Sequence, residues 1–166
     1  MKTLYLMRHA KSSWNFDGLS DKERPLNSRG RADAPHMGQA LASRNIQPDL
    51  LVSSPAVRAL STAALVAKEL NYPPDSIQVI PGIYEADAER LFDIITELPD
   101  EASSVLLVGH NPTLTDTVNM LSTRSLNDMP TAAVVCLHFH ADQWAQVHRA
   151  NSEFYFYDYP KNHHDE

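Results

Sequence analysis

Three short apolar runs in this chain each stop at a cationic or imidazole side chain, and that repeat limits the folds open to it. Leu4-Tyr5-Leu6-Met7 runs into Arg8-His9. Leu50-Leu51-Val52 runs into Ser53-Ser54-Pro55-Ala56-Val57-Arg58. Val105-Leu106-Leu107-Val108 runs into Gly109-His110-Asn111. Such runs read as buried strands, and helix-length segments with apolar residues on one face separate them. Alternating strand and helix predicts a single three-layer α/β domain, a mostly parallel mixed sheet flanked by helices. In such a sheet, ligands bind in the crevice beyond the carboxyl ends of the strands. Three strand ends that deliver Arg and His to one crevice predict a site that grips an anion.

The remaining elements follow from spacing and punctuation. Residues 3–7 are a strand, then residues 8–28 a long polar loop. Arg29 to Ser43 reads as a helix with Ala34, Met37, Ala40 and Leu41 inward, capped by Ser28; Pro35 falls in its first turn or kinks it. Pro55 to Leu70 reads as a helix opened by its proline, with Val57, Leu60, Ala64 and Ala67 on the apolar face. Residues 77–80 are a strand, Asp87 to Glu97 a helix, residues 104–108 a strand and Pro112 to Leu121 a helix. Residues 132–139 and 144–149 read as a hairpin across Ala141-Asp142-Gln143. The domain is expected to end at residue 156, with a polar, frayed tail over 157–166.

Composition narrows the partners. A net charge of −7 over 166 residues argues against general nucleic-acid binding. Residues 1–60 nevertheless hold nine Lys/Arg against five Asp/Glu, whereas residues 61–166 hold five against sixteen. That asymmetry fits either scattered solvated faces or a basic pocket on an acidic body. The N-terminal apolar stretch is cut short by Arg8, too soon for a signal peptide or a membrane span. The lone Cys136 lies in an apolar run and reads as a buried structural thiol. A cytoplasmic protein with no membrane association is expected.

The residue types at the strand ends suit phosphoryl transfer. That reaction needs positive charge on the equatorial oxygens and a nucleophile in line with the leaving group. Arg8 and Arg58 are the candidate cations, because a guanidinium fork binds two oxygens and stays charged. His9 is the candidate nucleophile, since neighbouring guanidinium charge favours its neutral form. His110 is a candidate donor to a phosphate oxygen, with the amides at the start of the helix after Pro112 close by.

These segments also resemble a known family. Leu6-Met7-Arg8-His9-Ala10-Lys11-Ser12-Ser13-Trp14-Asn15 is similar to the Arg-His-Gly signature of the histidine phosphatase superfamily, with its following Trp and Asn. Arg24-Pro25-Leu26-Asn27-Ser28-Arg29-Gly30, Ser53 to Ala63, and Val108-Gly109-His110-Asn111-Pro112 resemble its later blocks, in family order. Ala10 in place of glycine is similar to the small SixA-like phosphohistidine phosphatases. The resemblance implies a phosphoglycerate-mutase-like fold and a metal-independent phosphohydrolase without a cofactor. His9 would be phosphorylated, and Arg8, Arg58 and His110 would complete the phosphate pocket. Asn15 matches a phosphate-touching position, and Glu85 sits where the mutase branch has its general acid. The implied substrate is a phosphorylated protein, of the histidine phosphotransfer or phosphotransferase-system kind.

An imidazole leaving group needs a general acid far less than an alkoxide does. Only one helix and one strand separate Glu85 from His110, which leaves no chain for a lid and favours a side chain displayed on another protein. Two alternatives stay open: a small-ester phosphatase or mutase with Glu85 as acid, and a phosphate-binding module without turnover. Asp17, Asp21 and Glu23 read as loop solvation, unless one orients Arg8 or substitutes as acid. Ser54 lacks a Gly-x-Ser-x-Gly elbow and is not read as a nucleophile. Asn111 is a further candidate contact. His138 and His140 share a strand face and suit a surface role better than a metal site. His163-His164-Asp165-Glu166 reads as a solvated tail, and Phe154 to Tyr159 as a last strand or a docking patch.

Overall fold

The computed structural model describes residues 1–162. Six strands form one mixed sheet: β1 (Lys2–Arg8), β2 (Leu50–Ser53), β3 (Gln78–Val79), β4 (Ser104–Gly109), β5 (Val134–Phe139) and β6 (Ser152–Asp158). Their spatial order is β3-β2-β4-β1-β5-β6. The first four are parallel, so their carboxyl ends share one edge; β5 runs antiparallel to β1, and β6 antiparallel to β5. Four helices connect them: α1 (Ser28–Ser43), α2 (Val57–Glu69), α3 (Ala88–Thr96) and α4 (Thr113–Leu121).

Strand alternation divides the core in two. Leu4 and Leu6 of β1 join Val105 and Leu107 under α3 and α4, while Tyr5 and Met7 join Leu106 and Val108 under α1 and α2. Both faces of the central strands are therefore buried, which is why they read as unbroken apolar runs. The three-layer α/β expectation holds. No described helix is long and apolar enough to cross a membrane.

Several local readings change. The cap of α1 is Asn27, not Ser28: its Oδ1 accepts from the Gly30 N–H at 2.9 Å. Pro35 lies inside α1, beyond its first turn. Pro55 stays outside α2, which begins at Val57. Its buried face is Arg58, Ala59, Thr62, Ala63, Val66 and Ala67, so of the four residues expected inward only Ala67 is buried. Small residues occupy that face because α1 lies close: a Cβ on Gly38 would come within 2.9 Å of the Glu69 Cβ.

The segment 144–149 is not a strand. Trp144–Gln146 and Arg149–Asn151 are 3-10 turns, and β6 takes the place beside β5. Trp144 is the reason. Its ring is fully buried, its Nε1–H donates to the Ala102 carbonyl at 2.8 Å, and its backbone N–H donates to Asp100 Oδ1. That anchorage draws the segment into the core rather than along the sheet. The domain boundary expected after residue 156 falls inside β6, and Asp158 and Pro160 are buried. The expected tail is thus packed through Pro160, while the reading of His163 to Glu166 lies outside the described residues.

Candidate functional site

The carboxyl ends of β1, β2 and β4 open into a cleft of about 570 Å³ lined by Arg8, His9, Arg58 and His110, with Arg24, Asp21, Tyr84 and Glu85 on its walls. Hydrogen bonds bring the strand ends together. The His9 N–H donates to the Gly109 carbonyl at 3.0 Å, and the Ser54 N–H to the Val108 carbonyl at 3.1 Å. Behind the cleft, the Ala10 N–H donates to Thr62 Oγ1 at 2.9 Å, and the Thr62 hydroxyl donates to the Arg58 carbonyl at 2.8 Å. One buried hydroxyl therefore ties the end of β1 to the first turn of α2. The Ala132 N–H bridges the carbonyls of Arg8 and His9, both at 3.1 Å. It does so from a left-handed backbone (φ 64°), a conformation costly for alanine.

His9 is held in one tautomer. Its Nδ1 lies 2.7 Å from the Ala10 carbonyl oxygen, which can only accept, so Nδ1 carries the proton and Nε2 keeps a bare lone pair. Burial pushes its pKa down to about 3, and His110, Arg58 and Arg8 push the same way against the Ala10 carbonyl. The ring is thus neutral at pH 7. His110 stands beside it, ring centroids 5.2 Å apart, with its pKa lowered to about 4, chiefly by burial and then by Arg58.

The two guanidinium groups are anchored from behind. Arg8 Nη1 donates to the Met129 carbonyl at 2.9 Å. Arg58 donates from Nη1 to the Asp21 carbonyl at 2.6 Å and from Nη2 to Asp21 Oδ2 at 3.0 Å. In both residues the Nε–H is buried without a hydrogen-bond partner among the described residues. Two guanidinium groups lining one cleft suit an acceptor with several oxygens.

Asp21 was read as loop solvation, with orientation of Arg8 or a role as acid left open. Instead it is the hub of one wall, accepting from Arg58, from Arg24 Nε at 3.1 Å and from the Tyr84 hydroxyl at 2.6 Å. Those donors, Tyr84 foremost, hold its carboxyl far below the usual range. Arg24 also donates to Ser12 Oγ and stacks on the exposed Trp14, its guanidinium 3.5 Å from the ring centroid. Arg24 and Tyr84 escaped the sequence reading. The signal for Arg24 was its place in the Arg-Pro-Leu-Asn block; nothing local marks Tyr84.

Other expectations sort clearly. Glu85 lines the cleft but is exposed. Asn15 is exposed and outside the cleft lining, and its backbone N–H donates to Ser13 Oγ. Asn111 lines the cleft with its amide committed elsewhere, donating to Asp128 and Met129 and accepting from Thr115. Glu23 bonds back to Ser20, and the Leu114 N–H at the start of α4 is taken by the His110 carbonyl. Cys136 is buried, as read. His138 stacks on Tyr155 at 4.4 Å, and His140 pairs with Glu153 at 2.9 Å. Among the described residues no group of three His, Cys, Asp or Glu side chains is placed to hold a metal.

The family profile of the histidine phosphatase superfamily (branch 1) matches residues 4–92, more than half of the chain. The chain belongs to the histidine phosphatase superfamily. Within it, an uncharacterised chloroplastic protein of Arabidopsis thaliana is 31% identical over 155 residues, 88% of this chain and 70% of that one. The assigned phosphohistidine phosphatase SixA of Agrobacterium tumefaciens superposes with a TM-score of 0.79 at 30% identity, covering 96% of this chain and 99% of that one. The protein histidine phosphatase SixA in complex with tungstate shares the fold at a TM-score of 0.81 and 24% identity, covering 96% and 98%. This member of the superfamily is a phosphatase of SixA-like architecture.

Proposed function

We propose that this phosphatase removes phosphoryl groups from histidine side chains displayed on other proteins, through a phosphorylated His9. The observation that carries this reading is the lack of a built proton donor. The cleft lining contains two carboxylates. Asp21 is held ionised by Tyr84, Arg58 and Arg24, and Glu85 is exposed with no hydrogen-bond partner among the described residues. An alkoxide leaving group needs a positioned acid, whereas an imidazole takes its own proton before the P–N bond breaks.

In the first step His9 Nε2 attacks phosphorus, and the substrate imidazole departs. Arg8, Arg58 and His110 stabilise the oxygens of the transferring group. Water then attacks phospho-His9, and phosphate leaves. The open setting supports a protein substrate. Tyr84 and Glu85 are shared with an adjoining cleft of about 560 Å³, and Trp14 on the rim is 77% exposed. The placement of Glu85 on the cleft wall favours one second reading, a small-ester phosphatase that uses it as acid.

The test is phosphate release from a phosphohistidine-bearing transfer protein, a phosphoserine peptide and a small phosphate ester, with chelator present and His9→Ala as blank. Selective release from phosphohistidine, lost in His9→Ala, is expected. Faster turnover of the ester would move the substrate class to the second reading. Phosphate binding with no release and no phospho-His9 would leave a binding module.

A further inference from the structure

Ser54 closes the turn between β2 and α2 and is completely buried. Its Oγ lies 3.1 Å from the Ala56 nitrogen and 2.8 Å from His110 Nε2. A serine hydroxyl has one proton and two lone pairs. The Ala56 N–H can only donate, so it uses a lone pair. The hydroxyl proton then needs an acceptor, and among the described residues His110 Nε2 is the group in reach. If His110 kept its proton on Nε2, the serine proton would be stranded in the interior, which buried hydroxyls avoid.

We infer that Ser54 is a positioning residue, whose hydroxyl donates to His110 Nε2 and fixes that ring with its proton on Nδ1. Nδ1 has no protein partner among the described residues and is not among the buried unpaired atoms, and the ring lines the cleft. Nδ1–H is therefore the donor His110 offers to a ligand. The two neighbouring imidazoles are set in opposite senses. The Ala10 carbonyl accepts from His9 Nδ1–H and leaves a lone pair on Nε2; the Ser54 hydroxyl donates to His110 Nε2 and leaves a proton on Nδ1. A phosphoryl group can use both, a lone pair at phosphorus and a proton at oxygen. The depressed pKa of His110 keeps this neutral tautomer in place at pH 7.

The kinetic consequence rests on the proposed reaction, but the tautomer does not. Ring-nitrogen NMR on ¹⁵N-labelled protein, with His110 assigned by its loss in His110→Gln, reads the tautomer directly. The expected wild-type result is a protonated Nδ1 and a bare Nε2. Ser54→Ala should move the proton toward Nε2 and lower kcat about tenfold, as expected for one hydrogen bond to the reacting group's partner. Ser54→Thr, which keeps the hydroxyl, should restore both. A wild-type His110 protonated on Nε2 overturns the inference, even if no variant folds. A loss of kcat in Ser54→Ala with an unchanged tautomer also overturns it, and assigns Ser54 to the start of α2 instead. The expected tautomer in a protein inactive on every phosphate would sink the proposed function and leave this inference standing.

Discussion

His9 and Arg58 are 7% and 6% exposed, and the backbone of the core sets both; Trp14 and Glu85, on the far wall of the same cleft, stand in solvent. The strand-end group is joined by ladder bonds, by Thr62 and by Ala132. The loop group arrives on residues 12–24 and 81–87, which bond to one another, Arg24 to Ser12, Ser13 and Asp21 and Tyr84 to Asp21, and reach α2 where Arg58 donates to Asp21. The difference separates two tasks. Groups that must meet a transition state within a fraction of an ångström sit on rigid elements. Groups that meet the rest of the substrate sit on segments that vary at little cost to the fold.

The hardest test of that division is His9→Ala. It should lower turnover by roughly 10⁴-fold or more and abolish any acid-labile phosphoenzyme in a rapid-quench experiment. Residual turnover within tenfold of wild type would place the chemistry elsewhere. Next in size is Asp21→Asn, a loop residue that acts through a strand-end one. It weakens the hold on Arg58 and Arg24, and kcat should fall about tenfold while the fold stays intact by circular dichroism. An unchanged kcat would show that Arg58 needs no support from the loop.

Acid titration checks the burial of the strand-end group. His9 has a folded pKa near 3, below the usual 6.5, so the unfolded chain binds a proton in that window that the folded chain refuses. Stability should therefore be level above about pH 6.5 and decline as pH falls toward 3. By NMR the His9 ring should not titrate between pH 5 and 8; a midpoint near 6.5 would mean the site is wet. The smallest effect belongs to the exposed wall. Glu85→Gln should change phosphohistidine cleavage less than threefold, whereas a working general acid is worth roughly 10²-fold or more. A loss of that size on a phosphate ester would make Glu85 the acid and break the comparison.

The same division governs what could be read from the sequence. Arg8, His9, Arg58 and His110 were legible because each follows an apolar run, and a strand's end is a fixed place in a parallel sheet. Asp21 and Tyr84 were not, because their hydrogen bond spans 63 positions and depends on how two loops fold over the edge. The setting of Asn15 was not legible for a related reason: its neighbour Trp14 is held by stacking against Arg24, a contact that spacing alone does not set. The α2 face was misread because apolar periodicity was counted where the deciding residue is a cation. Arg58 shares the buried face with Ala59 and Thr62, since it must reach the cleft. Residues 144–149 were misread as a strand because Trp144 promised a ladder position and took a core one, whereas the last-strand reading of Phe154 to Tyr159 falls largely within β6.

Thr62 carries a consequence beyond its two hydrogen bonds. It is wholly buried behind the cleft, so neither solvent nor any substrate touches it. The spacing between the candidate nucleophile and the Arg58 cation is thereby calibrated by a part outside the reach of ligand selection. A lineage descended from this protein could exchange its rim, and with it the molecule it serves, without retuning the interval on which bond breaking depends.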